Sequence, residues 1–105
     1  MKRGEVWLTQ LDPTIGSEIQ KTRPTLIVSP DQLNGILPLV TIVPLTSGSR
    51  RARFHVPVHF AGKDGYIVVE QMRSLDKRRL VRRLGVIDSD ELSHTFDALK
   101  LYFAP

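Results

Sequence analysis

The chain has three histidines and eleven acidic residues among 105, and no cysteine. The lack of cysteine excludes a disulfide scaffold, a thiolate nucleophile, a zinc–thiolate site and an iron–sulfur cluster. His55 and His59 are spaced i, i+4, which on a helix would put both on one face. They fall instead in the alternating run Phe54-His55-Val56-Pro57-Val58-His59-Phe60, which reads as a strand. At about 3.3 Å per residue the two imidazoles stand about 13 Å apart, too far to share an ion. His94 lies off the apolar face of a C-terminal helix, and no acid pair has the local spacing of a metal-binding loop. No metal and no other cofactor is expected. A Gly-rich phosphate loop before a helix is absent, as is a Gly-x-Ser-x-Gly elbow, which disfavours nucleotide-dependent and serine-hydrolase chemistry.

What remains is Arg23, Thr46, Ser47, Glu70, Gln71 and Arg73. Pro24 forces an extended backbone on Arg23, so the guanidinium is presented from a rigid strand start and can grip a phosphate with two N–H groups. Thr46 and Ser47 follow Pro44-Leu45 at a strand end, where a hydroxyl pair could donate to a phosphoryl oxygen. Each piece also has a bland reading. Arg-Pro is commonly structural, Thr-Ser after a strand is commonly a turn, and Glu70-Gln71 could be a surface ladder pair.

These residues need elements to hold them. Gly4 to Leu11, Arg23 to Ser29, Leu37 to Leu45, Phe54 to Phe60, Tyr66 to Arg73 and Leu80 to Ile87 read as strands. Residues 12–22 form a loop, Gly62 to Gly65 a turn, and single helical turns are expected near 31–34 and at Leu75 to Arg79. Asp88 can cap a C-terminal helix, with Glu91 three residues later as in a capping box. Leu92, Phe96, Leu99 and Phe103 give that helix one apolar face. Short strands with one packing helix predict a mostly β domain, a small SH3-like barrel filling residues 1–105.

The charge is uneven. Residues 50–83 hold ten of the fifteen Lys and Arg but three of the eleven acids, a net +7 against −3 elsewhere. Such a segment suits a polyanion, although basic strands also discourage edge pairing. The longest apolar stretch, Ile36 to Leu45, is ten residues long and broken by Pro38 and Pro44, too short for a bilayer. Glu5, Gln10 and Asp12 interrupt any signal-peptide core. A cytoplasmic protein without membrane contact is expected.

The chain also resembles a known family. Lys2-Arg3-Gly4-Glu5-Val6-Trp7-Leu8 leads to Leu11-Asp12-Pro13-Thr14, Gly16-Ser17-Glu18 and Thr22-Arg23-Pro24. Ile42-Val43-Pro44-Leu45-Thr46-Ser47 and the block from Glu70 to Leu80 follow, then Leu84-Gly85. This order and spacing resemble the MazF/PemK (Kid) toxins of bacterial type II toxin–antitoxin systems. The resemblance implies the plasmid-maintenance-toxin barrel of MazF and CcdB, assembled as a homodimer. It implies metal-independent, sequence-specific cleavage of single-stranded RNA, with Arg23 and Thr46 matching the family's catalytic arginine and threonine. Ser17 and Glu18 fall in its substrate-flanking loop, and Glu70 and Gln71 match polar positions beside its site. The implied partner is a cognate antitoxin with an acidic, disordered tail. Departures are Ile19 for a common glutamine, Gly65 for a frequent serine, and Val68 and Ser17 for an arginine and a histidine of some PemK-like members.

The chemistry suits these groups. In RNA the 2′-hydroxyl can attack the adjacent phosphorus, leaving a 2′,3′-cyclic phosphate and a 5′-hydroxyl, without metal or water nucleophile. Arg23 suits the developing phosphorane charge and Thr46 can donate to the same oxygen. Arginine is a poor base; Glu70 or His59 could carry protons, and neither is singled out. Arg50, Arg51 and Arg53, with Arg73 and the stretch from Lys77 to Arg83, would line the RNA path. Trp7, Phe54 and Tyr66 could stack on bases, although each also reads as core. Two alternatives stand beside this one. A CcdB-like gyrase inhibitor would work through a terminal tryptophan, but the only tryptophan here is Trp7. A non-catalytic RNA-binding barrel would keep the basic segment without needing Arg23 and Thr46 together.

Overall fold

The computed structural model describes the chain apart from Ser17, Gln20 and residues 49–53. Among the described residues, seven strands and two α-helices follow in order: β1 Glu5–Gln10, β2 Thr22–Ile27, α1 Asp31–Asn34, β3 Leu39–Thr46, β4 His55–Phe60, β5 Lys63–Val68, β6 Arg73–Asp76, β7 Leu80–Val86 and α2 Ser89–Phe103. Short 3-10 turns at Val69–Gln71 and Lys77–Arg79 flank β6. All pairings are antiparallel, in the order β4-β5-β3-β2-β1-β7, with β6 joined to β3.

Strand β3 produces the curl. One of its edges pairs with β2, while its other edge pairs first with β6 and then, at Leu45 and Thr46, with β5. The expected single strand from Tyr66 to Arg73 is therefore two strands, broken by the turn at Val69–Gln71 so that each serves a different length of β3. The sheet bends far enough for its end strands to meet. A Cβ at Gly85 of β7 would stand 3.2 Å from Phe60 Cζ of β4. The β4–β5 turn is also tighter than expected. Phe60 pairs with Lys63, and Ala61 and Gly62 both have positive φ (53° and 78°), the requirement of a two-residue hairpin that twists with its strands.

Alternation sorts side chains to two cores. Val6, Leu26, Val43, Leu45, Val56 and Ile67 meet Leu92, Phe96 and Leu99 of α2 in one; Leu11, Ile27, Val40, Ile42, Leu75 and Leu80 form the other. The run Thr25 to Val28 is buried throughout, as its unbroken hydrophobicity predicts. Asp88 caps α2, accepting from the Asp90 and Glu91 amides. The Glu91 carboxylate instead accepts from the His59 amide at 2.8 Å, clamping the helix start to β4. The helix outruns the core: Phe103 is 62% exposed and packs edge-on against Tyr102. Among the described residues no helix is long and apolar enough to cross a membrane.

Candidate active site

Arg23 and Pro24 lie in β2, opposite Thr9 and Leu8 of β1. On its other edge β2 pairs with β3 only from Ile27–Ile42 to Thr25–Pro44. The next hydrogen-bonded pair would be Pro24 with Leu45, and Pro24 lacks the N–H it would need. On the opposite edge β3 passes from β6 to β5, Leu45 pairing with Ile67 and Thr46 with Tyr66. Strands β2 and β3 part, with Arg23 on one bank and Thr46 on the other; two more residues of the same register would set them face to face. Pro24 thus does more than start a strand, because it ends the ladder where the notch between the two side chains begins.

Both residues line two adjoining cavities. One, of about 430 Å³, includes Lys21, Ser47 and Gly48. The other, of about 390 Å³, opens at the end of the curled sheet with Leu8, Leu45 and Val58 among its walls and Lys63 and Arg82 among its cations. Arg23 is exposed and Thr46 half-buried. Thr46 Oγ1 accepts from the Gly48 amide at 2.9 Å, which orients the hydroxyl and leaves its proton to donate. Gly65 sets the Thr46 backbone from behind. Any Cβ at Gly65 would overlap the Thr46 carbonyl oxygen, so the glycine found in place of a serine is a packing requirement here.

Glu70, Gln71 and Arg73 meet elsewhere, with Glu18, around a cavity of about 180 Å³ that shares Ile19 with the first. Gln71 Oε1 accepts from the Ile19 amide at 2.8 Å, and Arg73 Nη1 donates to the Leu11 carbonyl at 3.1 Å. Glu18 accepts from the Ile15 amide at 2.6 Å. Glu70 Oε2 lies 2.9 Å from His55 Nε2. His59 pairs with Asp64 at 2.7 Å. Neither proton carrier considered from the sequence is among the described residues lining the notch; Asp64 is, at the sheet end. Ser17, Arg50, Arg51 and Arg53 lie outside the described residues.

The basic segment divides. Arg78 grips Asp76 with two N–H groups and thereby holds the half-buried Asp76 carboxyl below its usual range. Arg79 donates to the Gln10 and Asp12 carbonyls, and Arg83 to Glu5. Of the described cations in that segment, Lys63 and Arg82 line the cavity beside Arg23. Lys21, which sequence reasoning passed over, lines the notch from outside the segment. Its only sequence signal was its place two residues before Arg23. Among the described residues no three His, Asp or Glu side chains are grouped to hold a metal ion.

The model for PemK-like, MazF-like toxins of type II toxin–antitoxin systems matches residues 2–103. Endoribonuclease PemK of Escherichia coli is 43% identical over 83 residues, spanning 74% of this chain and 62% of PemK. Endoribonuclease MazF9 of Mycobacterium tuberculosis is 35% identical over 112 residues, spanning 97% of this chain and 95% of MazF9. The crystal structure of MazF from Deinococcus radiodurans superimposes with a TM-score of 0.88 at 28% identity, over 97% of this chain and 94% of that one. A match over nearly the full length, on a barrel whose strands bring Arg23 and Thr46 together, places the chain among the PemK-like, MazF-like toxins of type II toxin–antitoxin systems.

Proposed function

We propose that the chain is a metal-independent endoribonuclease that cuts single-stranded RNA, with Arg23 and Thr46 acting on one phosphodiester. The observation that carries this reading is the shared notch between the parted ends of β2 and β3, lined by both residues. The 2′-oxygen forms a bond to phosphorus as the bond to the 5′-oxygen breaks. The 2′-hydroxyl gives up its proton, the departing oxygen gains one, and the products are a 2′,3′-cyclic phosphate and a 5′-hydroxyl. No metal, oxidant or water nucleophile enters this balance. Arg23 supplies fixed positive charge where the phosphorane gathers negative charge, and Thr46 donates its hydroxyl proton to the same oxygen. Lys21, Lys63 and Arg82 hold flanking phosphates.

The same cations suit the acidic, disordered tail of a cognate antitoxin, the partner that a toxin of this family requires. The chain works as a homodimer in the cytoplasm, where its RNA substrate is. Leu33, Ile36, Leu37 and Leu39 are all more than 40% exposed around α1 and the start of β3, an apolar surface that assembly would cover. The gyrase-inhibitor alternative is the weaker one, since α2 ends on Tyr102 and Phe103 and Trp7 sits half-buried in β1. The test is incubation of a defined RNA with the purified protein in EDTA, followed by mapping of fragment ends. Discrete cuts with 5′-hydroxyl and cyclic-phosphate ends are expected. Retarded but uncut RNA would support a binding barrel, and a supercoiling defect with uncut RNA the gyrase reading.

A further inference from the structure

Beyond Thr46, on the next strand of the sheet, stands a residue that the chemistry above does not use. Tyr66 of β5 pairs with Thr46 on one side and Pro57 on the other. Their chain neighbours Leu45, Ile67 and Val56 point into the core, so alternation turns Thr46, Tyr66 and Pro57 to the opposite face. Tyr66 is half-buried and lines a cavity of about 540 Å³ together with Ser47, Gly48, Pro57 and His59. Ser47 and Gly48 also line the notch beside Arg23, so the two concavities are continuous.

We propose that Tyr66 is the stacking platform for the base of a nucleotide flanking the cut, and that the cavity before it is that nucleotide's subsite. The proposal rests on the endoribonuclease reading and adds where the substrate's base goes. Adjacent strands lie about 4.8 Å apart, so a nucleotide whose phosphate sits at Thr46 can lay its base over the ring one strand away. Single-stranded RNA is held in this way, by cations on its phosphates and aromatic faces under its bases. The ring is also held in place. His55 stands with its centroid 6.1 Å away at 45°, and its Nε2 is fixed by Glu70 at 2.9 Å. Glu70 thereby acts through His55 as a positioning residue for the platform.

The test uses RNA carrying the protein's own cleavage sequence. In a 2′-deoxy, non-cleavable version, 2-aminopurine is placed in turn on each side of the scissile bond. Wild-type protein is expected to quench its fluorescence at one position, Tyr66→Leu to lose that quench, and Tyr66→Trp to restore it. In cleavable RNA, Tyr66→Leu should lower kcat/KM about ten- to hundred-fold, in line with base–aromatic stacking. It should cost nothing further when that position is abasic. Equal quenching by wild type and Tyr66→Leu, or losses that multiply on abasic RNA, would overturn the proposal; thermal melting checks that the variants fold. If the EDTA assay yields no cuts, the same probe is carried along a single-stranded RNA of mixed sequence, and Tyr66-dependent quenching there would sink the nuclease reading and leave the platform standing. Cutting without such quenching would do the reverse.

Discussion

The notch between Arg23 and Thr46 and the smaller cavity under Glu70, Gln71 and Arg73 share a wall at Ile19, yet they use their polar groups differently. In the smaller cavity each polar side chain has a fixed internal task. Gln71 holds the Ile19 amide, Arg73 the Leu11 carbonyl, Glu18 the Ile15 amide and Glu70 the His55 ring. Three of these four bonds tie down the β1–β2 loop. In the notch, Arg23 is exposed at a strand start and Thr46 keeps a proton to donate. A motif that looks uniform along the chain therefore divides into working groups and groups that hold the loop over them.

That division can be broken by substitution. Arg23→Ala should remove the largest amount, about 10²- to 10³-fold in kcat, the scale for deleting one preorganised donor to a developing oxyanion. Its thermal midpoint should stay near wild type, because the side chain is exposed. A single-turnover cleavage assay beside a melting curve measures both. Thr46→Val keeps shape and removes the hydroxyl, and should cost about ten- to hundred-fold, as for one hydrogen bond to a charged group. Gln71→Leu should reverse the pattern. It strands the Ile19 amide, lowering stability by about 1–2 kcal/mol, or several degrees in Tm for a domain this small, with cleavage falling less than for Thr46→Val. A Gln71 variant as inactive as Arg23→Ala, yet as stable as wild type, would erase the distinction.

Most of the fold was legible because it follows from local rules. Alternation marked β4, unbroken burial marked β2, and Asp88 marked the start of α2. Where sequence reasoning went astray, a long-range event intervened. The stretch from Tyr66 to Arg73 opens with a strong strand run, Tyr66 to Val69, and is broken at Val69–Gln71, where β3 takes a different partner on each side of the break. Phe103 continues the helical apolar period, but the core beneath it has ended. At the site, Arg23 and Thr46 were suggested by residue type and by resemblance. Their meeting depends on Pro24 of one strand ending the ladder to another strand distant in sequence, which no local window contains. The ion pairs of Arg78 and Arg83, and so the division of the basic segment, were equally invisible, since charge counts do not say which cations are already engaged.

The smallest expected effect lies at a pair far from the notch in role. Glu5 of β1 is 14% exposed and accepts from Arg83 of β7 at 3.1 Å and from Trp7 Nε1 at 2.9 Å. Burial pushes its carboxyl up. The hydrogen bonds from Trp7, the Lys2 amide and Arg83, with the N-terminal charge, outweigh burial and leave it below the ordinary glutamate range. A carboxyl depressed on folding stabilises the protein above its unfolded pKa and loses that contribution as pH falls through the folded value. Glu5→Gln should therefore lower stability by under about 1 kcal/mol near neutrality, the scale of a partly exposed ion pair. The gap in Tm between the two proteins should close on acidification below the usual carboxylate range. Cleavage at neutral pH should be unchanged, because neither Glu5 nor Arg83 is among the described residues lining the cavities beside Arg23 and Thr46. Should Glu5→Gln slow cleavage more than Gln71→Leu does, loop-holding groups would not be confined to the wall at Ile19, and the β1–β7 pairing would have to be counted as part of the site.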